Sequence, residues 1–215
     1  MYREFGKRLS DLLLSLVLLS VLWPLLLALC LTGAAAMRGN PFFTQERVGR
    51  DERIFRMVKF RSMNDRRGPD GRLLPDEERL TRYGRFLRKT SLDELPELFH
   101  ILRGEMSFVG PRPLLPEYLP FYTQRERRRH SVRPGLTGLA QIHGRNDIAS
   151  WEERFDYDLA YVENCSLRGD VRILLATARQ APRGTGVLCG SEIRAGRLDD
   201  ARRQENDDRH CQTLP

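Results

Sequence analysis

Residues 12–37, LLLSLVLLSVLWPLLLALCLTGAAAM, carry no charge. At about 1.5 Å per residue, a helix of that length reaches through a bilayer core. Three arrangements compete for it. A cleaved signal sequence fits Arg3, Lys7 and Arg8 ahead of an apolar run that ends in Ala34-Ala35-Ala36. The run, however, exceeds the usual apolar core of about 7–15 residues. A single transmembrane span fits the length. Against it, Pro24 lies near the middle, where it removes a helix hydrogen bond and bends the axis. Both flanks are also basic, with Arg38, Arg47 and Arg50 following the run, and a span would put one flank outside. A helix that enters, bends at Pro24 and leaves on the same face satisfies both flanks. The residues alone leave all three open, with the re-entrant form slightly ahead of the span.

The chain has 215 residues, enough for one domain with appendages. Its formal charge of +7 points to an anionic partner: nucleic acid, lipid head groups or phosphorylated metabolites. Cys30, Cys165, Cys189 and Cys211 show no CxxC spacing, so they read as free thiols of a reducing compartment. His100, His130, His143 and His210 form no metal-binding motif, and no internal repeat is present.

After the apolar run, Pro41–Arg47 and Ile54–Phe60 read as a β-hairpin turning at Gly49–Glu52. Its second strand delivers Lys59 and Arg61 to one end. The Gly-, Pro- and charge-rich stretch Asn64–Asp76 is a loop. Glu77–Lys89 is a basic helix with an apolar stripe of Leu80, Tyr83, Phe86 and Leu87. Thr123–Arg133 holds five arginines, either a solvated face or a contact with anionic lipid or a nucleotide. Arg133–Asn146 has glycines that let backbone amides approach a ligand, though the spacing is neither a P-loop nor GxGxxG. Trp151–Val162 is an amphipathic helix with Phe155, Leu159 and Val162 on its core face, and Asp156 and Asp158 read as surface acids. Asp170–Arg179 is a last helix. From about Gly196 the polar, charged composition suggests disorder.

Between these elements lies TSLDELPELFHILRGEMSFVGPRP, Thr90–Pro113. Asp93 and Glu94 sit ahead of a short helix from about Pro96 to Leu102, closed by Gly104. Arg88 and Arg112 stand on either side. Ser91 and Glu94 have the spacing of a capping box, which would explain Glu94 structurally. Asp93 could likewise be a plain first-turn acid. Alternatively, two acids among bases make a site for phosphate and metal. An ionised carboxylate can bind Mg²⁺ or attack phosphorus, and a protonated one can do neither.

Taken together, the segments resemble the bacterial sugar transferase family, the monotopic polyprenyl-phosphate phosphoglycosyl transferases, over roughly Met1–Ala178. The resemblance rests on the basic start and Pro-broken apolar run, FTQERVG at Phe43–Gly49 and KFRSM at Lys59–Met63. It continues in SLDELPELFHILRGEMSFVGPRP, VRPGLTGLAQIHGRN and YDLAYVENCSLRGDVRIL. Among family members the chain looks most similar to the small bacillosamine-type enzymes.

The resemblance implies a mixed α/β (α+β) fold: a re-entrant membrane helix over residues 1–38, a small, mainly helical catalytic domain with a β-hairpin over 39–182, and a C-terminal tail over 183–215. It implies transfer of a sugar 1-phosphate from a UDP-sugar to polyprenyl (undecaprenyl) phosphate with release of UMP, at the cytoplasmic face of the bacterial inner membrane. Asp93 would be the nucleophile, forming an acyl phosphate, with Glu94 assisting and Mg²⁺ held by the two. Lys59, Arg88 and Arg112 would bind phosphate, with Pro111 and Pro113 stiffening that loop. Gln141, Arg145 and Asn146 would hold the nucleotide or sugar. Inner-membrane lipid is a further partner, nucleic acid is not, and a homodimer is allowed without being required. Trp23 departs from the Ser that often precedes the bend proline, and the tail after Ala178 departs from the pattern. The competing function is a non-enzymatic membrane adaptor that binds anionic lipid or nucleic acid through its basic face, with no use for the acid pair. Neither the donor sugar nor the pathway follows from the sequence.

Overall fold

The computed structural model describes residues 2–144, 148, 150–180 and 196–204. The elements run α1 (Lys7–Met37), β1 (Phe42–Val48), β2 (Ile54–Phe60), α2 (Asp76–Arg79), α3 (Arg82–Thr90), α4 (Glu97–Arg103) and β3 (Ser107–Val109). They continue with α5 (Gln124–Arg127), β4 (Gly135–Thr137), α6 (Leu139–Ile142), α7 (Trp151–Glu163) and α8 (Leu167–Gln180). The mixed class is as expected: a long apolar helix, a two-stranded hairpin and short helices.

The hairpin β1–β2 is antiparallel, from Phe42 opposite Phe60 to Val48 opposite Ile54. Asp51 and Glu52 adopt left-handed conformations to make its turn (φ 54° and 60°). Phe55 and Met57 face the main core with Leu98, Ile101, Met106, Phe108 and Val162. A parallel pair, β3–β4, lies deeper, with Ser107 opposite Gly135 and Val109 opposite Thr137. The glycines around it serve backbone packing. A Cβ on Gly135 would sit 2.1 Å from the Gly110 nitrogen, and one on Gly138 would sit 2.2 Å from the Gly110 oxygen. These two glycines therefore approach their own chain, where the sequence suggested approach to a ligand.

The 31-residue α1 contains Pro24 and has one face on the domain along most of its length. Lys7 Nζ lies 2.6 Å from Asp170 Oδ2, and the Arg8 guanidinium donates to the carbonyls of Ile101 and Leu102. Asp11 Oδ1 accepts from Ser107 Oγ and the Phe108 N–H, each at 3.1 Å. Further along, Leu18, Leu19 and Leu22 pack on the main core, while Leu26, Leu29 and Cys30 pack with Phe60 and Leu87. At the far end Tyr83 Oη donates to the Leu29 carbonyl at 2.7 Å. Leu9, Leu13, Val17, Val21, Trp23, Leu27 and Leu31 form the opposite, exposed face. An apolar surface of that extent calls for lipid or a partner. Cys30 and Cys165 are free thiols, as the spacing suggested; Cys189 and Cys211 lie outside the described residues.

The basic helix expected over 77–89 is two helices. Leu80 is extended and pairs with Met63 between α2 and α3. Thr81 caps α3 by accepting the Gly84 N–H at 2.9 Å. The stripe then divides: Leu87 is buried against α1 and Phe60, whereas Phe86 is exposed. Helical periodicity continues across the break, which is why the pattern read as one helix.

Several surface assignments are corrected. Asp158 is buried, 2.7 Å from Arg129 Nη2, while Asp156 is exposed and pairs with Arg125. The five arginines of 123–133 are all engaged within the domain. Arg127 binds Glu52, Arg128 binds Glu163, Arg129 binds Asp158, Arg125 binds Asp156, and Arg133 Nε donates to the Gly104 carbonyl. The helix at Trp151–Glu163 matches expectation, with Phe155, Leu159 and Val162 buried, and the last helix, Leu167–Gln180, starts three residues before the expected Asp170. Residues 196–204, in the stretch expected to be disordered, dock on the domain with 198–204 helical.

Candidate active site

Asp93 and Glu94 lie in a single 3-10 turn, Leu92–Glu94, wedged between α3 and α4. Ser91 is left-handed (φ 56°) and its N–H closes the end of α3, so no capping box forms with Glu94. Pro96 precedes α4, and Gly104 (φ 85°) ends it. The helix thus occupies almost the stretch expected, one residue later at each end.

With no cap to make, Glu94 turns to the cations. Its Oε1 lies 2.6 Å from Lys59 Nζ and 2.8 Å from Arg112 Nη2. Lys59, near the end of β2, also reaches Glu97 Oε1 at 3.1 Å. The hairpin, the 3-10 turn, α4 and the loop after β3 therefore converge on one charged knot. Burial opposes ionisation of Glu94, but Arg112 and Lys59 override it and hold the carboxyl far below its usual range. Burial would lower the Lys59 ammonium, and Glu94 and Glu97 reverse that, keeping it charged. Glu97 is itself pushed up by burial, against Lys59.

Asp93 behaves differently. Among the described residues its carboxylate makes neither an ion pair nor a hydrogen bond. Burial, then the Glu94 charge beside it, pushes it up to about 6, with Lys59, Arg88 and Arg112 opposing. At neutral pH it is mostly ionised and unpaired, the condition of an available nucleophile or metal ligand. Arg88 is held by Ser62, its Nε donating to the hydroxyl oxygen at 3.0 Å. Gly84 makes this possible, since a Cβ there would lie 1.9 Å from the Ser62 carbonyl oxygen.

The Pro111-Arg112-Pro113 loop is clamped on both sides. Gly135 N–H donates to the Pro111 carbonyl at 3.0 Å, and Arg129 Nη2 donates to the Arg112 carbonyl at 2.8 Å. His100 ties β2 to α4, its Nε2 accepting the Val58 N–H at 3.1 Å while Nδ1 faces Glu105. That fixes Lys59 relative to the acids.

Mg²⁺ takes one or two carboxylates and fills its octahedron with water and phosphate oxygens. The free Asp93 carboxylate fits that need, with Glu94 Oε2, which has no hydrogen-bond partner among the described residues, beside it. Among the described residues no cluster of three or more His, Cys, Asp or Glu suits a metal. An ion here would depend on substrate oxygens.

The structure thus brings together Lys59, Asp93, Glu94, Arg88 and Arg112, with Pro111 in the loop. Gln141 is buried, its Nε2 donating to the Leu136 carbonyl at 3.1 Å and its Oε1 close to Gly138, which packs on Gly110 just before Pro111. Arg145 and Asn146 lie outside the described residues. Glu97, Ser62, His100 and the Arg129–Asp158 pair were not singled out from the sequence. Glu97 had a signal, standing three residues after Glu94 and therefore near it across one turn. The others act through contacts distant in sequence.

A sequence model of the family described as bacterial sugar transferase matches residues 2–184. The uncharacterized sugar transferase EpsL of Bacillus subtilis is 50% identical over 161 residues, covering 74% of this chain and 79% of that protein. The UDP-glucose:undecaprenyl-phosphate glucose-1-phosphate transferase of Xanthomonas campestris is 39% identical across 82% of this chain, and the match covers 39% of that protein. The UDP-galactose-lipid carrier transferase of Erwinia amylovora is 43% identical across 81% of this chain and 40% of its own length. The chain thus spans about two-fifths of the length of these last two relatives. None of the three is named for bacillosamine. The extent of the family match and the identity to EpsL place this chain in the bacterial sugar transferase family.

Proposed function

We propose that this chain is an undecaprenyl-phosphate sugar-1-phosphate transferase acting through a covalent intermediate on Asp93. The observation that carries this reading is the division within the acid pair: Glu94 is spent on Lys59 and Arg112, and Asp93 is left without an ion pair among the described residues. In the first step an Asp93 carboxylate oxygen attacks the phosphorus that bears the sugar. The P–O bond to UMP breaks and UMP departs with the electron pair. In the second step a phosphate oxygen of the polyprenyl phosphate attacks the same phosphorus, releasing the Asp93 carboxylate and a polyprenyl diphosphate sugar. Each step exchanges one phosphorus–oxygen bond for another and needs no proton donor. Arg88 and Arg112 offset the charge that otherwise repels a carboxylate from a diphosphate. Mg²⁺, when bound by Asp93 and Glu94, would supply further charge neutralisation.

The relatives named for UDP-glucose and UDP-galactose support a UDP-hexose donor. A water-soluble nucleotide sugar and a membrane-held polyprenyl phosphate, together with the exposed apolar face of α1, support placement at the cytoplasmic face of the inner membrane. The re-entrant form of α1 is supported by contacts of both its ends, through Arg8 and Leu29, with one catalytic domain. The adaptor reading has no use for an acid pair, whereas Glu94 is built into a charged knot with Lys59 and Arg112 and Asp93 stands beside it. The test is UMP release from a panel of UDP-sugars with undecaprenyl phosphate and Mg²⁺. Turnover that disappears in Asp93→Asn supports the assignment, and normal turnover by that variant refutes it.

A further inference from the structure

Residues 196–204 lie beyond the family match at 2–184, yet they complete one of the domain's cores. Leu198 is 0% exposed, packed among Leu114, Tyr118, Tyr122, Trp151 and Phe155. Polar contacts pin the same segment to three elements. Arg197 Nη2 lies 2.6 Å from Glu117 Oε2, in the 3-10 turn Pro116–Phe121. Arg202 pairs with Glu126 of α5, and its Nη1 lies 3.1 Å from Glu152 Oε1 of α7. The Arg197 pair is exposed and contributes little. The largely buried Arg202–Glu126 pair and Leu198 carry the attachment.

Leu114, α5 and α7, each in contact with this segment, all bear on Arg112. Leu114, beneath Leu198, is separated from Arg112 only by Pro113. Glu126 forms the capping box with Thr123 that starts α5, and the chain runs from there directly into Arg129. The α7 helix carries Asp158, which holds the Arg129 guanidinium that donates to the Arg112 carbonyl. A buried leucine and a largely buried arginine thus tie together the supports of the site arginine that also grips Glu94.

We propose that residues 196–204 form a C-terminal clasp that positions Arg112 for the diphosphate of the sugar nucleotide, with Leu198 and Arg202 as its positioning residues. The substrate in this statement rests on the proposed transferase function; the clasp itself does not. Arg112 meets the diphosphate on binding as well as in the transition state, and loss of such uniform binding raises KM with kcat little changed.

The test uses the full chain with Leu198→Ala, Leu198→Met and Arg202→Gln, read by hydrogen–deuterium exchange and by UMP-release kinetics. In Leu198→Ala and Arg202→Gln, amides of 112–131 exchange faster while those of β2 and α4 are unchanged. The donor KM then rises about tenfold with kcat within about threefold. Leu198→Met, which refills the core, restores both readouts. Unchanged exchange at 112–131 together with an unchanged donor KM in Leu198→Ala and Arg202→Gln overturns the clasp, as does uniform loosening of the whole domain. If the unaltered chain releases no UMP with any UDP-sugar, the transferase reading fails, and exchange alone still decides the clasp.

Discussion

Lys59 Nζ sits 2.6 Å from Glu94 Oε1, and that one contact separates the roles of two adjacent acids. Lys59 and Arg112 together fix Glu94 as an anion and a strut. Asp93, one residue earlier, keeps its charge uncommitted. Glu94→Gln should therefore act differently from Asp93→Asn. Removing the Glu94 charge leaves Arg112 without its ion-pair partner and Lys59 with only Glu97, and buried charges left unpaired are costly. The expected outcome is a lower melting temperature and a turnover reduced by about 10²-fold or more. Asp93→Asn should abolish turnover without lowering the melting temperature. Thermal melts and UMP release on the two purified variants check the contrast.

The raised pKa of Asp93 has a stability signature with a definite sign. Its folded value of about 6 exceeds the ordinary 3.8, so between these values the folded protein binds more protons than the unfolded chain. Stability attributable to this group falls as pH rises through that window and stays low above about 6. Asp93→Asn removes the buried negative charge. In chelator, the variant should be more stable than the wild type at pH 7.5, and the two should converge near pH 4. Urea unfolding at the two pH values measures this, and equal stability at pH 7.5 contradicts it.

Arg129 and Asp158 are both almost fully buried, and Arg129 also holds the Arg112 carbonyl. Asp158→Asn strands a buried guanidinium and should cost about 3–5 kcal/mol by chemical denaturation. Activity should fall beyond the loss of folded protein, since the Arg112 loop loses a clamp.

Gly84→Ala places a methyl group against the Ser62 carbonyl, with 1.9 Å available. The backbone on one side must move, at a cost of about 1–3 kcal/mol. The Ser62–Arg88 hydrogen bond moves with it, so the donor KM should rise. A Gly84→Ala variant with wild-type stability and KM would show that α3 does not need this close approach.

Local patterns carried much of this structure into the sequence. Two strand-like runs rich in aromatic and β-branched residues around a turn at Gly49–Glu52 marked the hairpin to within a residue, and helical spacing marked α7 and most of α8. The break at Leu80–Thr81 escaped because extended Leu80 still satisfies the helical spacing. Ser91 and Glu94 matched a capping box, but Ser91 is the left-handed residue that ends α3 and makes no side-chain cap there. Asp158 and Arg129 looked solvated because each finds its buried partner far away in sequence, whereas Arg125 and Arg128 are indeed exposed. Leu198 was hidden by its polar neighbours, one buried leucine being too little to register in composition. At the site, Lys59, Asp93, Glu94, Arg88 and Arg112 were legible through family motifs. The split between Asp93 and Glu94 acquired its physical reason only from the ion pairs.

The most direct measurement is a single turnover in two stages. Enzyme is mixed with Mg²⁺ and a UDP-sugar labelled in the sugar, without lipid acceptor, and both UMP and protein-bound label are quantified. Asp93 as nucleophile gives a burst of UMP approaching one per enzyme, with equal label on the protein, which moves to undecaprenyl phosphate when that is added. Asp93→Asn gives neither burst nor label. UMP release that waits for the acceptor, with no label on a protein that turns over normally, would contradict covalent catalysis at Asp93.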